Sequence, residues 1–180
     1  MTIEEILKLR QEAGGLNKLM HMHVVTLDKD GGATVELDLT PELLNPLGMA
    51  HGGTIFTLCD IAAGSAAASQ GTVAVTLDST IHYYRPGRCG KKLTAVAYER
   101  KRGRKVSVYM IEVHDDEGKH IADATFTMFY TGATLDDGTK QTLEGLAAVL
   151  RSTAKTMGTA GQIKDAKSSI CDIIEDTWDE

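Results

Sequence analysis

The chain of 180 residues carries a formal net charge of -6, three cysteines and no apolar run long enough to span a bilayer. The acidic balance disfavours a nucleic-acid binder, because phosphate contacts need a basic surface, and three widely spaced cysteines argue against a disulfide framework or a zinc site. The first residues also lack the basic start and apolar core of a signal peptide, so the sequence predicts a cytoplasmic protein with no membrane partner.

The hydrophobic pattern predicts an α+β fold. A short amphipathic helix over residues 3–13 ends at Gly14-Gly15, and residues 54–69 are apolar on nearly all sides, which is typical of a buried helix. Six predicted strands cover residues 21–27, 33–39, 72–85, 92–101, 104–115 and 119–130. A curved antiparallel sheet wrapped around the central helix fits this order, because a helix that is apolar all round needs cover on every side.

The last part of the chain follows a different pattern. Residues 132–139 have the composition of a linker, and two apolar stripes at helical spacing come after them. We therefore predict a domain over residues 1–131 and a C-terminal helical extension over residues 132–180. The stripes of this extension would pack against the sheet or against another subunit.

Two features of the stretch NPLGMAHGGTIFTLCDIAAG, residues 45–64, indicate a functional site. A helix that begins at Gly52 or Gly53 presents unpaired backbone amides, which can stabilise a developing oxyanion in an acyl-transfer reaction. Asp60 lies in the apolar middle of the same helix, where an ionised carboxylate is unfavourable unless it is paired. The alternatives are that the glycines only permit a tight turn, and that Asp60 caps a loop or pairs with an arginine.

The spacing of these two features predicts a dimer. Eight helical residues separate Gly52 from Asp60, which places the carboxylate about 12 Å along the axis from the amide. One chain can hardly bring the two groups together. Two chains related by a dyad can do so, and the site would then need a homodimer.

Several of these residues form a pattern that resembles a known family. The pattern consists of Asn45, His51-Gly52-Gly53, Asp60, Thr76 and the run TIHYYRP at residues 80–86. It resembles the hotdog-fold acyl-CoA thioesterases of the phenylacetyl-CoA (PaaI-like) type over residues 15–131. The resemblance implies hydrolysis of acyl-CoA without metal or cofactor, in a homodimer that further assembles into a tetramer as a dimer of dimers.

The resemblance also implies roles for individual residues. The Gly52 amide would polarise the thioester carbonyl, and Asp60 of the opposite subunit would attack it or activate the water that does. Asn45 would hold the water or the thioester, and His51 would orient the loop or the acyl group. Thr76 would hydrogen-bond the water or Asp60.

Contacts to coenzyme A are predicted from basic groups, because this substrate carries three phosphates. The candidates are the turn with Arg85 and Pro86 and the hairpin with Arg102 and Arg104, although both are equally consistent with solvated turns. Gly53 and Tyr84 complete the predicted substrate-binding set; Tyr83 and Tyr84 alternate along a strand, so only one can face the core.

Two other functions stay open on the sequence. A non-catalytic hotdog module could bind acyl-CoA as a sensor, although such a protein needs an effector domain. A hydratase or dehydratase could use the same fold, because a fold does not determine function. Those relatives use a histidine with a carboxylate, whereas the histidine of the present motif precedes the glycines.

Overall fold

The structure is a computed structural model, and it describes residues 1–135. Its helices are α1 (Ile3–Gln11), α2 (Leu16–Leu19) and α3 (Gly52–Ala68), with a 3-10 turn at Pro41–Leu43. Its strands are β1 (Met22–Asp28), β2 (Gly32–Asp38), β3 (Thr72–Tyr83), β4 (Lys92–Lys101), β5 (Val106–Asp115) and β6 (His120–Thr134). The predicted order of helix, hairpin, long helix and four strands is confirmed.

The six strands form one antiparallel sheet in the order β1-β2-β4-β5-β6-β3. Helix α3 packs against every strand of this sheet, so the predicted hotdog architecture is confirmed. The strands alternate between buried and exposed side chains, and the buried ones pack on α3. Tyr109 and Phe126 are among the largest side chains that this packing removes completely from water. Burial of such apolar area is the main favourable term in folding.

Helix α1 begins with a side-chain cap. Thr2 Oγ1 accepts a hydrogen bond from the Glu5 N–H at 3.2 Å, and the Thr2 N–H donates to Glu5 Oε2 at 2.7 Å, which makes a capping box. Ile6 anchors the helix in the core. The one-turn helix α2 was not predicted, because four residues are too few to show helical periodicity.

The prediction that α3 is covered on every side is wrong for the single chain. Gly53, Thr57, Asp60 and Gly64 are not buried, and their spacing places them on one face of the helix. The opposite faces, with Leu58, Ala62 and Ala66 among others, are buried under the sheet. Asp60 therefore lies on an uncovered stripe and not in an apolar surround. We call these four residues the α3 stripe.

The predicted boundary after residue 131 also changes. Strand β6 continues to Thr134, which pairs with Thr72, so the first residues of the predicted linker belong to the sheet. The predicted helical extension otherwise lies outside the described residues. Within residues 1–135, no helix is long and apolar enough to cross a membrane.

Candidate active site

The first turn of α3 leaves one backbone amide unpaired. His51 is the N-cap residue: its Nδ1 accepts from the Gly53 N–H at 2.9 Å, and its carbonyl accepts from Thr54 and Ile55 at 2.9 and 3.2 Å. The Gly52 N–H has no acceptor within residues 1–135. Because the helix dipole places partial positive charge here, Gly52 offers a donor to a negatively charged oxygen. Gly53 does not, since its amide is already occupied.

The cap determines the protonation of His51. An imidazole nitrogen that accepts a hydrogen bond carries no proton, so His51 is neutral and its proton is on Nε2. The Nε2–H is then a second donor beside the Gly52 amide. Both donors belong to adjacent residues at the start of the helix.

Asn45 shapes the loop that leads into α3. Its Oδ1 accepts from the backbone N–H groups of Leu47 and Met49 at 2.9 and 3.2 Å. The side-chain oxygen is therefore committed to the loop. Nδ2 makes no hydrogen bond within the part of the chain that the structure describes, so it is the group of Asn45 that can reach a ligand.

Asp60 is paired with Thr76, one of the two hydrogen bonds that the family resemblance implied for this threonine. Thr76 Oγ1, on β3, donates to Asp60 Oδ1 at 2.6 Å. The second carboxylate oxygen, Oδ2, has no hydrogen-bond donor within residues 1–135 and can accept a proton. Thr76 thus orients the carboxylate and leaves one oxygen available on the α3 stripe.

Arg10 brings a positive charge from α1 to the same helix. Its Nε donates to Ser65 Oγ at 3.1 Å, and its guanidinium lies beside Gly64, where a Cβ would meet Nη2 at 3.7 Å. Burial lowers the pKa of Arg10, and the nearby charge of Asp60 opposes this effect. The sequence analysis missed Arg10, because nothing local to α1 indicates which part of α3 it will meet.

The neighbouring thiol is not a competing nucleophile. Cys59 is fully buried, and burial, followed by the charge of Asp60, raises its pKa to about 12. The thiol therefore stays protonated at neutral pH, and the thiolate is the reactive form. Within residues 1–135, no group of three or more His, Cys, Asp or Glu side chains is arranged to hold a metal ion.

Tyr83, the neighbour of the predicted substrate-binding residue Tyr84, contacts the glycine pair. The Tyr83 hydroxyl donates to the Gly52 carbonyl at 2.9 Å, and burial raises the pKa of Tyr83, so the hydroxyl stays protonated. Tyr84 instead donates to Asp123 Oδ2 at 3.2 Å, and its ring lies 5.1 Å from that of His120. Strand alternation predicted that only one of the two rings can face the core; in the single chain both are about half exposed and neither lies in the core.

The two predicted basic groups lie at opposite ends of α3. The turn with Arg85, Pro86 and Arg88 adjoins the loop before α3, because the Ala50 N–H donates to the Gly87 carbonyl at 2.9 Å. Met49 also pairs with Arg88 in an isolated bridge, and Arg85 Nη1 donates to the His120 carbonyl at 2.9 Å. This turn is therefore near Gly52.

The second group lies near the carboxyl end of α3, about 24 Å from Gly52 at 1.5 Å per residue. Arg102 donates to Glu99 at 2.7 to 2.9 Å and to Gln70 Oε1 at 2.7 Å. Glu99 also accepts from the Tyr109 hydroxyl at 3.0 Å, so Arg102 is held in a structural network. Arg104 lines a shallow cleft beside it. The structure thus does not bring Arg102 and Arg104 together with Gly52 of the same chain.

Comparisons with known proteins agree with this geometry. Residues 47–122 match the family described as the thioesterase superfamily. The chain is 37% identical over 105 residues to acyl-coenzyme A thioesterase PaaI of Escherichia coli, an alignment that covers 58% of this chain and 74% of the relative. The solved structure of E. coli PaaI has a TM-score of 0.70 at 32% identity, over 73% of this chain and 95% of that one.

A second solved relative comes from Streptococcus pneumoniae. This hypothetical thioesterase, determined with coenzyme A, has a TM-score of 0.60 at 35% identity, over 63% of this chain and 90% of that one. It has also been solved with an aspartate and with a threonine replaced by alanine, at positions 16 residues apart, the separation of Asp60 and Thr76. The chain thus belongs to the thioesterase superfamily, as its helix start and paired carboxylate indicate.

Proposed function

We propose that the chain hydrolyses acyl-CoA thioesters to the free acid and coenzyme A. The observation that carries this proposal is the hydrogen bond from Thr76 to Asp60, which holds a carboxylate ready on the uncovered α3 stripe. The name of the E. coli relative, the coenzyme A in the pneumococcal structure and the matching aspartate–threonine separation support it.

The reaction follows from the two groups of α3. The Gly52 N–H donates to the thioester carbonyl oxygen and stabilises the negative charge that develops there. Asp60 Oδ2 takes a proton from a water whose oxygen attacks the carbonyl carbon. The carbon–sulfur bond then breaks, and the proton passes to the leaving sulfur. Direct attack by Asp60 gives the same products through an anhydride that water hydrolyses.

Other side chains of the site act on the same atoms. Asn45 Nδ2 and His51 Nε2–H would orient the thioester or the water, since neither donor has an acceptor within residues 1–135. Thr76 fixes which oxygen of Asp60 faces the water. A thioester is already activated, so a donor and a carboxylate suffice in this proposal and no cofactor takes part.

The proposal requires two chains at each site. Gly52 and Asp60 of one chain are about 12 Å apart along α3. Strand β3 is a twelve-residue edge strand, paired on one side by β6 and on the other by nothing within residues 1–135. Pairing of two β3 edges about a dyad would cover this edge and bring the α3 stripes together, with Asp60 facing the other chain's Gly52. A tetramer of two such dimers stays an expectation from the family resemblance.

The turn with Arg85 and Arg88 is the proposed contact for the phosphates of coenzyme A. Replacing both arginines by glutamine is expected to raise KM for acyl-CoA about tenfold with little change in kcat, because phosphate contacts are made equally before and during the reaction. Arg104→Gln is expected to leave KM within about twofold. Steady-state kinetics at two salt concentrations checks this, and a larger effect at Arg104 would move the phosphate site to the other end of α3.

The direct test of the function is release of free thiol from a panel of acyl-CoAs by the purified full chain. We expect turnover of at least one acyl-CoA at a rate proportional to protein concentration. Calorimetric binding to the same panel provides the second measurement. Binding without thiol release would reject the enzyme and favour a sensing module, and neither binding nor release would reject both.

A further inference from the structure

A cleft of about 650 Å³ lies beside the first turn of α3, within the size range of small-molecule sites. We call it the α2 cleft. Its apolar walls come from the segment around α2 and from the loop before α3, through Leu16, Leu19, Met20, Leu43 and Leu44. His51, Gly53 and Thr57 form the side of the cleft that belongs to α3. The cleft is therefore lined by the residues on either side of Gly52.

The two leucines of α2 lie outside the core. Leu16 and Leu19 are 52% and 74% exposed, so neither contributes fully to the core. The helix also lacks a side-chain cap, and His21, which follows its C-cap Met20, has left-handed backbone with φ of 54°. This conformation is unfavourable for a residue with a side chain and persists where the surrounding structure requires it. Two exposed leucines on a constrained turn are suited to contact a ligand.

We infer that the α2 cleft receives the acyl group of the thioester and that Leu16 and Leu19 determine the preference for apolar acyl groups. This inference rests on the proposed function, because the Gly52 amide positions the carbonyl from which the acyl group extends. With the carbonyl at Gly52, an acyl chain directed along His51 and Gly53 enters the cleft. Contact with the chain would then remove both leucines from water.

The charge of the cleft disfavours acyl groups that end in a carboxylate. Its ionisable groups are His21, Glu42 and His51, and His51 is neutral because its Nδ1 accepts a hydrogen bond. Backbone and Thr40 hydrogen bonds hold the pKa of Glu42 below its usual value, so its carboxylate is ionised at neutral pH. The carboxylate of Glu42 would repel a carboxylate at the far end of an acyl group. Acyl groups that end in a methyl or phenyl group fit the cleft better.

Truncation of Leu19 tests the first part of the inference. Leu19→Ser is expected to raise KM for octanoyl-CoA and phenylacetyl-CoA about tenfold, with kcat and the KM for acetyl-CoA changed less than about twofold. Val96→Ser removes a half-exposed apolar side chain on the outer sheet face and is the matched control. It should leave all three substrates unchanged. Melting temperatures of both variants report on folding.

The outcomes separate the inference from the proposed function. If wild type hydrolyses acyl-CoA and neither Leu19→Ser nor Leu16→Ser changes the KM for octanoyl-CoA, the α2 cleft is not the acyl site and the enzyme assignment stands. If wild type hydrolyses none of the panel, the proposed function itself fails. A rise in KM for acetyl-CoA equal to that for octanoyl-CoA would indicate a general loss of binding and would also overturn the inference.

A change of charge tests the second part. Hexanoyl-CoA and adipyl-CoA differ only in the terminal carboxylate, so their ratio of kcat/KM isolates the effect of charge. Glu42→Gln is expected to raise the ratio of kcat/KM for adipyl-CoA to kcat/KM for hexanoyl-CoA about fivefold, because a like charge is removed from the cleft. An unchanged ratio would show that Glu42 does not face the end of the acyl group.

Discussion

Replacing Asp60 by asparagine is expected to lower kcat about 10³-fold, with binding of acyl-CoA retained. The amide has nearly the shape of the carboxylate, and its Oδ1 can still accept from Thr76 Oγ1, which is 2.6 Å from Asp60 Oδ1 in the native chain. What the variant loses is the negative charge and the lone pair of Oδ2 that would take the proton of water. General-base catalysis contributes about 10² to 10⁴ in rate, so a loss of this size is the expected effect. The measurement is thiol release at saturating acyl-CoA, with affinity measured by calorimetry.

The matched control is Asp30→Asn, which removes a carboxylate from the exposed turn between β1 and β2. It alters net charge by the same amount as Asp60→Asn. Because this turn contributes no group to the proposed site, kcat should be unchanged. Thr76→Ala provides a graded comparison: the carboxylate remains but loses the donor that orients it. We expect a loss of about tenfold to 10²-fold in kcat. Full activity of Asp60→Asn would exclude this carboxylate from the reaction and shift attention to Asn45 and His51.

The element order of this fold could be predicted because it depends on local patterns. Periodicity of two along β2 and the apolar run of α3 are visible in the sequence, and tight turns between the later strands leave few topologies. The one-turn helix α2 could not be predicted, since its position depends on backbone conformation at Gly15 and His21. The small and polar residues of the α3 stripe recur at helical spacing in the sequence. The sequence analysis missed this pattern because most other residues of the helix are apolar.

The candidate site was predictable where its residues are close in sequence or match the family pattern. Asp60, Gly52 and Thr76 belong to that set, and the hydrogen bond between Asp60 and Thr76 has the partner that the resemblance implied. Contacts between distant segments were not predictable. Tyr83 reaches the Gly52 carbonyl only because β3 pairs with β6 in one register, and Arg10 reaches Ser65 only because α1 docks on α3.

Replacing Gly52 by proline is expected to lower kcat about 10²-fold, whereas Gly52→Ala should retain most of the activity. Gly52 is the first residue of α3, a position where proline fits because no helical hydrogen bond is lost. His51 has φ of -61° and ψ of 137°, the extended conformation that a residue before proline prefers. A Cβ at Gly52 would meet Tyr83 at 3.5 Å, an ordinary contact. Proline therefore removes chiefly one N–H group, and loss of one oxyanion donor reduces kcat by about 10² to 10³.

Mixing the two inactive proteins tests whether one site contains groups from two chains. In a heterodimer of Asp60→Asn and Gly52→Pro chains, the intact Gly52 of the first faces the intact Asp60 of the second, and the other site lacks both groups. Random exchange makes about half of the dimers mixed, with one of two sites intact, so about a quarter of wild-type activity should return. Co-expression with two affinity tags isolates the heterodimer, which should reach about half of the wild-type rate. If the purified heterodimer stays as inactive as its parents, the two groups do not share a site across the dyad, and the Gly52 amide and Asp60 must act within one chain or in separate steps.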